Sequence, residues 1–180
     1  MSAKLPLGIF WDIENCPIPV QKSASSVAKR LQDFIADRHP ECGYAKEFVC
    51  VCDTGRVDKK ITKSLDNIGV DVLHVNNGAK NAADDKLQEQ IDKYVDTYGC
   101  TGRAVLCIIT GDINFKKPVL NARRKDLDVV LIHGKNCSQD LKNLVSESYL
   151  FDDIVESADS LDKSEDQLNP SIENLLKNFH

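Results

Sequence analysis

Five short apolar runs, at residues 7–11, 47–52, 70–75, 104–110 and 128–133, leave this chain few folds to choose from. Most are continuous rather than alternating and are rich in Val and Ile, the pattern of strands covered on both faces. Between them lie segments with helical periodicity. Residues 23–37 place Val27, Leu31, Phe34 and Ile35 on one stripe. Residues 57–67 bring Ile61, Leu65 and Ile68 together and stop at Gly69, a glycine placed as a helix C′ residue. Residues 82–98 align Leu87, Ile91, Tyr94, Val95 and Tyr98, and helical segments are also expected over 114–125 and 138–148. Strand–helix alternation of this kind builds β-α-β units. The expectation is a doubly wound α/β domain over residues 6–152, with a mainly parallel five-stranded sheet and helices on both faces. Residues 153–180 read as an acidic linker followed by a short helix opened by Pro170 and Ser171.

In an open parallel sheet, ligands sit beyond the carboxyl ends of the strands. The residues at those ends are unusual. The first run, LGIFW, stops abruptly at Asp12, Glu14 and Asn15. The second ends in Asp53. The fourth, AVLCIIT, ends in Gly111, Asp112 and Asn114, and the long helix from residue 82 carries Asp84 and Asp85 in its first turn.

Each acid has a plain structural reading. Asp84 and Asp85 suit a helix N-terminus, where the macrodipole favours negative charge, and Asp112 suits an N-cap. Asp12 resists that treatment, because a carboxylate closing a buried strand needs partners or a counter-ion. Together these acids would repel one another at one edge of one sheet. A hard divalent cation, Mg²⁺ or Mn²⁺, offsets that repulsion and takes oxygen ligands. The chemistry such a site suits is metal-assisted hydrolysis of a phosphodiester. Asp12 and Asp112 would hold the ion, with Asp84 or Asp85 as a further ligand and Asn15, Asn114 and Glu14 orienting the carboxylates.

The net charge of −5 argues against nucleic acid only if it is spread evenly. It is not: residues 152–180 hold eight acids and two bases, −6 in all, so the remainder carries +1. That balance allows a transient single-stranded RNA partner. Lys80, Lys116, Lys117 and Lys135 lie near the strand exits and are candidate phosphate contacts, although any one lysine is more often simply a solvated surface residue. Arg123, Arg124 and Lys125 are denser but fall at a helix C-terminus, remote from the acids. Trp11 is read as core rather than as a stacking platform. There are seven cysteines and no C-x-x-C pair. Cys50 and Cys52 alternate with valines inside a strand, so they read as buried thiols rather than as zinc ligands with His74. With no membrane-length apolar stretch and no secretory core in MSAKLPLG, a cytoplasmic setting is expected.

Taken with their order, FWDIENC, KNAADDKL and TGDINF resemble the NYN domains, a branch of the PIN-like ribonuclease superfamily. The likeness extends through SASSVAKRL, FVCVCD and VVLIHGKN, nearly the whole body. It implies a PIN-like fold and a metal-dependent endoribonuclease acting on single-stranded RNA, with Asp12, Asp84, Asp85 and Asp112 matching the family's acids and Asn15 the amide after the first. Two positions depart from it. Asn114 stands where many members have a second Asp, and Gln90 occupies a helix position where many carry a carboxylate.

Those departures keep a catalytically silent RNA-binding module in view. A phosphohydrolase acting on small esters through Asp12 is a further alternative. A dinucleotide oxidoreductase is not supported, since no G-x-G-x-x-G follows the first run.

Overall fold

The computed structural model describes residues 2–76, 79 and 81–159. Six strands, β1 (Leu7–Asp12), β2 (Glu47–Asp53), β3 (Asp71–Val75), β4 (Val105–Ile109), β5 (Asp128–His133) and β6 (Glu147–Leu150), form one sheet in the order β3-β2-β1-β4-β5-β6. Every pairing is parallel. The helices are α1 (Ala24–Arg38), α2 (Lys59–Asn67), α3 (Ala82–Tyr98), α4 (Lys116–Arg124), α5 (Gln139–Lys142) and α6 (Phe151–Val155). They cover both faces. On one, α1, α2 and α6 pack Val27, Leu31, Ile35, Leu65, Phe151 and Ile154 against Leu7, Ile9 and Trp11. On the other, α3 and α4 pack Leu87, Ile91, Tyr94 and Val119 against Phe10, Leu106 and Ile108. The alternate residues of β1 therefore belong to different cores, which is why its sequence shows no polar face.

The chain winds outward from β1 to β3, then crosses back by α3 to β4 on the other side of β1. The strand order thus reverses between β1 and β4, and a crevice opens at their carboxyl ends. Gly8 makes this crossing possible. A Cβ there would stand 2.7 Å from Phe10 and from the Tyr94 ring, so only glycine lets α3 seat its buried tyrosine on the central strand. Tyr94 then donates its hydroxyl to the Val105 carbonyl at 2.9 Å, bonding α3 to β4. Gly69, with φ +86°, ends α2 in the left-handed conformation expected of it.

Four expectations need correction. The sheet has six strands, not five. Residues 138–148, expected as a helix, hold only the single turn of α5 before the chain extends into β6, an edge strand pairing His133 with Leu150. Its sequence, Glu-Ser-Tyr-Leu, has no apolar run because an edge strand is half wet, and charge there protects the open edge. The helix expected over 114–125 begins as a 3-10 turn, Ile113–Phe115, before α4 proper, with Pro118 in the first turn of α4, where its missing N–H is tolerated. Finally, residue 152 falls inside α6. Ile154, Val155 and Ala158 are buried, and Lys22 Nζ donates to the Glu156 and Ala158 carbonyls at 2.8 and 2.7 Å. The packed body therefore runs on to Asp159, and the remaining part of the expected linker and C-terminal helix, 160–180, lies outside the described residues.

Candidate metal centre and nucleic-acid interface

At the crevice between β1 and β4 the sheet presents a cavity of about 610 Å³. Asp12, Glu14, Asn15, Asp53, Asp84 and Asp112 contribute its oxygens, Arg56 its one cation among the described residues. Asp12 is the last residue of the central strand and is only 5 % exposed. Its Oδ2 accepts from Thr110 Oγ1 at 2.9 Å and its Oδ1 from the Asn15 backbone N–H at 3.3 Å. Burial pushes this carboxyl up to about 6; the charges of Asp84 and Glu14 push the same way, and the Thr110 and Asn15 bonds oppose them.

Thr110, fully buried at the exit of β4, is the hinge of the site. Besides donating to Asp12, its hydroxyl oxygen accepts from the Asp112 N–H at 3.2 Å. Asp112 in turn caps the following 3-10 turn, accepting from the Asn114 N–H at 2.9 Å and the Asn114 side-chain amide at 3.5 Å. Across the cavity, Asp84 projects from the first turn of α3. Burial raises its carboxyl, the nearby Asp112 charge raises it further, and Asn114 opposes both. Asn15 Oδ1 accepts from the Gly111 N–H at 2.7 Å, tying the exit loop of β1 to that of β4.

The expected acids are thus distributed unevenly. Asp12, Asp84 and Asp112 face one cavity, as the sheet topology requires. Asp85, one residue further along α3, is exposed and does not line it. Glu14 does line the cavity, with its Oε1 at 3.7 Å from Arg56 Nε. Among the bases, Lys116 and Lys117 do not line the cavity but border a separate groove with Ile113, Asn114, Leu120 and Arg124. Lys135 pairs with Asp152 at 3.5 Å, and Lys80 lies outside the described residues. Trp11 is fully buried, as read from sequence, and its indole N–H donates to the Cys16 carbonyl at 2.9 Å.

Two functional residues escaped the sequence reading. Thr110 looked like the last residue of an apolar strand, and nothing local says which acid its hydroxyl reaches. Arg56 follows Asp53 in DTGR and could have been found by treating the β2 exit as carefully as the other two. It lies 3.8 Å from Asp53 and 3.7 Å from Glu14, in a wall otherwise made of acids.

The donor set is one of hard oxygens, and it carries more negative charge than Arg56 balances. Both facts fit a divalent cation such as Mg²⁺ or Mn²⁺. The fit is one of donor type and charge rather than of finished geometry: among the described residues, no three His, Cys, Asp or Glu side chains stand together as a group that could hold a metal ion. The carboxylates are spread along the cavity walls.

Residues 6–153 match the NYN domain family. The chain belongs to that family. This NYN domain is also similar to proteins named meiosis regulator and mRNA stability factor 1. The identity is 36 % over 151 residues with that of Xenopus tropicalis, 35 % with that of Gallus gallus and 34 % with that of Mus musculus. Each match covers 83 % of this chain but only 8–9 % of the relative, so the chain spans under a tenth of their length. Among its described residues no helix is long and apolar enough to cross a membrane.

Proposed function

We propose that this NYN domain is a Mg²⁺- or Mn²⁺-dependent endoribonuclease that cuts single-stranded RNA. The observation that carries the reading is the buried Asp12 carboxylate at the switch point, tied through Thr110 to the Asp112 turn and facing Asp84. Asp12, Asp84 and Asp112 would hold the ion; when bound, it would acidify an attacking water and offset charge on the phosphoryl oxygens. The chain's own residues do the remaining work. Thr110 fixes the Asp12 carboxylate in one orientation. Asn114 fixes Asp112, and Asn15 clamps the two exit loops together. Arg56, 70 % exposed along its side chain, can reach an incoming phosphate that the acids alone would repel. The names of the relatives, which speak of mRNA stability, support an RNA substrate. The seven free thiols suit a reducing, cytoplasmic setting.

A second reading keeps the RNA and drops the chemistry. It is favoured by the lack, among the described residues, of a three-residue group placed to hold a metal, and by Asn114, an amide, in the Asp112 turn. Purified protein is incubated with end-labelled single-stranded RNA in Mg²⁺, Mn²⁺ or EDTA, beside Asp12→Asn. Metal-dependent internal cleavage that Asp12→Asn abolishes supports the nuclease. RNA that is bound yet stays intact with either metal overturns it in favour of the silent binding module.

A further inference from the structure

Beside the acidic cavity lies a second recess of about 420 Å³, and the two share Glu14 and Arg56. Its walls are mostly apolar: Ile13, Pro17 and Ile18 from the loop after β1 line it with Val57 and Ile61 from the start of α2, and the one further acid, Asp58, is engaged as the N-cap of α2, accepting from the Lys60 N–H at 2.8 Å. At the junction stands an unsatisfied group. Glu14 Oε1 is buried and has no hydrogen-bond partner among the described residues. Its nearest cation, Arg56 Nε, is 3.7 Å away, beyond hydrogen-bond reach, and belongs to a side chain that is mostly in solvent. A buried acceptor without a donor is costly unless a ligand supplies one.

We propose that this recess is a nucleobase pocket, and that Glu14 reads the base. The inference rests on the single-stranded RNA reading above. A strand whose phosphate lies in the acidic cavity must place a neighbouring base nearby, and unpaired bases are recognised by apolar or guanidinium faces and by hydrogen bonds to their edges. The aliphatic walls take the base plane, and Arg56, at the mouth of both cavities, can lie over it or pair with the adjoining phosphate. A carboxylate acceptor selects for N–H donors. Guanine offers N1–H and N2–H side by side, matching the two oxygens of Glu14 once the side chain turns Oε1 out of its unsatisfied position to meet the base. Adenine and cytosine offer an exocyclic amino group alone. Uracil presents N3–H between two carbonyl oxygens, which a carboxylate repels. The pocket therefore prefers guanine, then the other amino-bearing bases, and rejects uracil.

The test is binding in EDTA, so that no strand is cut. Labelled oligouridine and the same oligomer with one central G, A, C or inosine are titrated against wild type, Glu14→Gln and Ile18→Ala, with folding of each variant checked by circular dichroism. Wild type is expected to bind the G-containing oligomer at least about fivefold more tightly than oligouridine, a single good base contact. Inosine, which lacks the N2 amino group, should fall in between. Glu14→Gln should bring G and U to within about twofold. Ile18→Ala should weaken the G-containing oligomer while leaving oligouridine unchanged. Equal binding of all oligomers by wild type, or a G preference that survives Glu14→Gln, overturns the pocket and leaves the RNA reading standing. Failure to bind or cut any oligomer, in EDTA and in Mg²⁺ alike, overturns both.

Discussion

Replacing Asp12 by Asn should stabilise the metal-free protein at neutral pH, and the size of the gain can be worked from the site. The folded-state carboxyl sits at about 6 against an ordinary 3.8, because burial outweighs the Thr110 and Asn15 bonds. The folded protein therefore holds a proton more readily than the unfolded chain between about pH 4 and 6. Stability falls as pH rises through that window, and the full penalty is present above it. At about 1.36 kcal/mol for each pKa unit, ionised Asp12 costs the fold about 3 kcal/mol at pH 7.5. Asn is the uncharged isostere. Its oxygen can accept from the Asn15 N–H, but its amide must turn toward Thr110 Oγ1, which already accepts from Asp112, and this gives back about 1 kcal/mol. The net gain of about 2 kcal/mol corresponds to a rise of about 4–8 °C in Tm for a domain of this size. The assay is thermal unfolding of both proteins in EDTA at pH 7.5 and pH 4. The gain should be present at the first and largely lost at the second, where the folded carboxyl is protonated and the unfolded one about half so. A variant less stable than wild type at pH 7.5, or a difference that ignores pH, would refute the reasoning and make Asp12 a structural hydrogen-bonding residue.

Other expectations follow from single contacts. Thr110→Val removes the donor to Asp12 and the acceptor for Asp112 in one step; unfolding should cost about 1–3 kcal/mol less, and RNA cleavage should fall by more than about tenfold. Gly8→Ala forces a Cβ into Tyr94 and should destabilise the fold by about 1–3 kcal/mol in urea titration, with cleavage per folded molecule unchanged; a neutral substitution would mean that α3 can lift off β1 without consequence. Arg56→Gln should weaken single-stranded RNA binding at low salt and lower the salt slope by about one phosphate contact; an unchanged slope would remove Arg56 from the interface.

The carboxyl-end rule made the convergence of Asp12, Asp84 and Asp112 legible, because strand polarity alone carries acids 100 residues apart in sequence to one edge. It worked where the strands were buried on both faces and therefore written as apolar runs. It failed at β6, whose half-wet edge position leaves Glu147 and Ser148 where a core strand would have Val. Within the site, position along the chain was readable and direction was not. Asp84 and Asp85 are adjacent residues on one helical turn, yet about 100° of rotation separates the one in the cavity from the one in solvent. Lys116 and Lys117 follow Asp112 closely in sequence, but beyond the 3-10 turn they line a different groove from the one that holds Asp112. Thr110 illustrates the remaining gap. Its role depends on a hydrogen bond to a residue 98 positions away, which no local pattern encodes.

The indole bond between Trp11 and Cys16 closes the loop that presents Asp12, Glu14 and Asn15, and Trp11 is the chain's only tryptophan. The protein thus carries its own optical reporter. The ring is shielded between Phe48 and Phe151 at centroid separations of 6.3 and 6.1 Å, so the native protein should emit at short wavelength. Loosening of the 12–16 loop breaks the bond at the indole nitrogen before it wets the ring, which should alter intensity with little change in colour. Global unfolding should shift the emission to the red. Rearrangement of the cleft and collapse of the sheet can therefore be told apart in one cuvette, without a label on either RNA or protein.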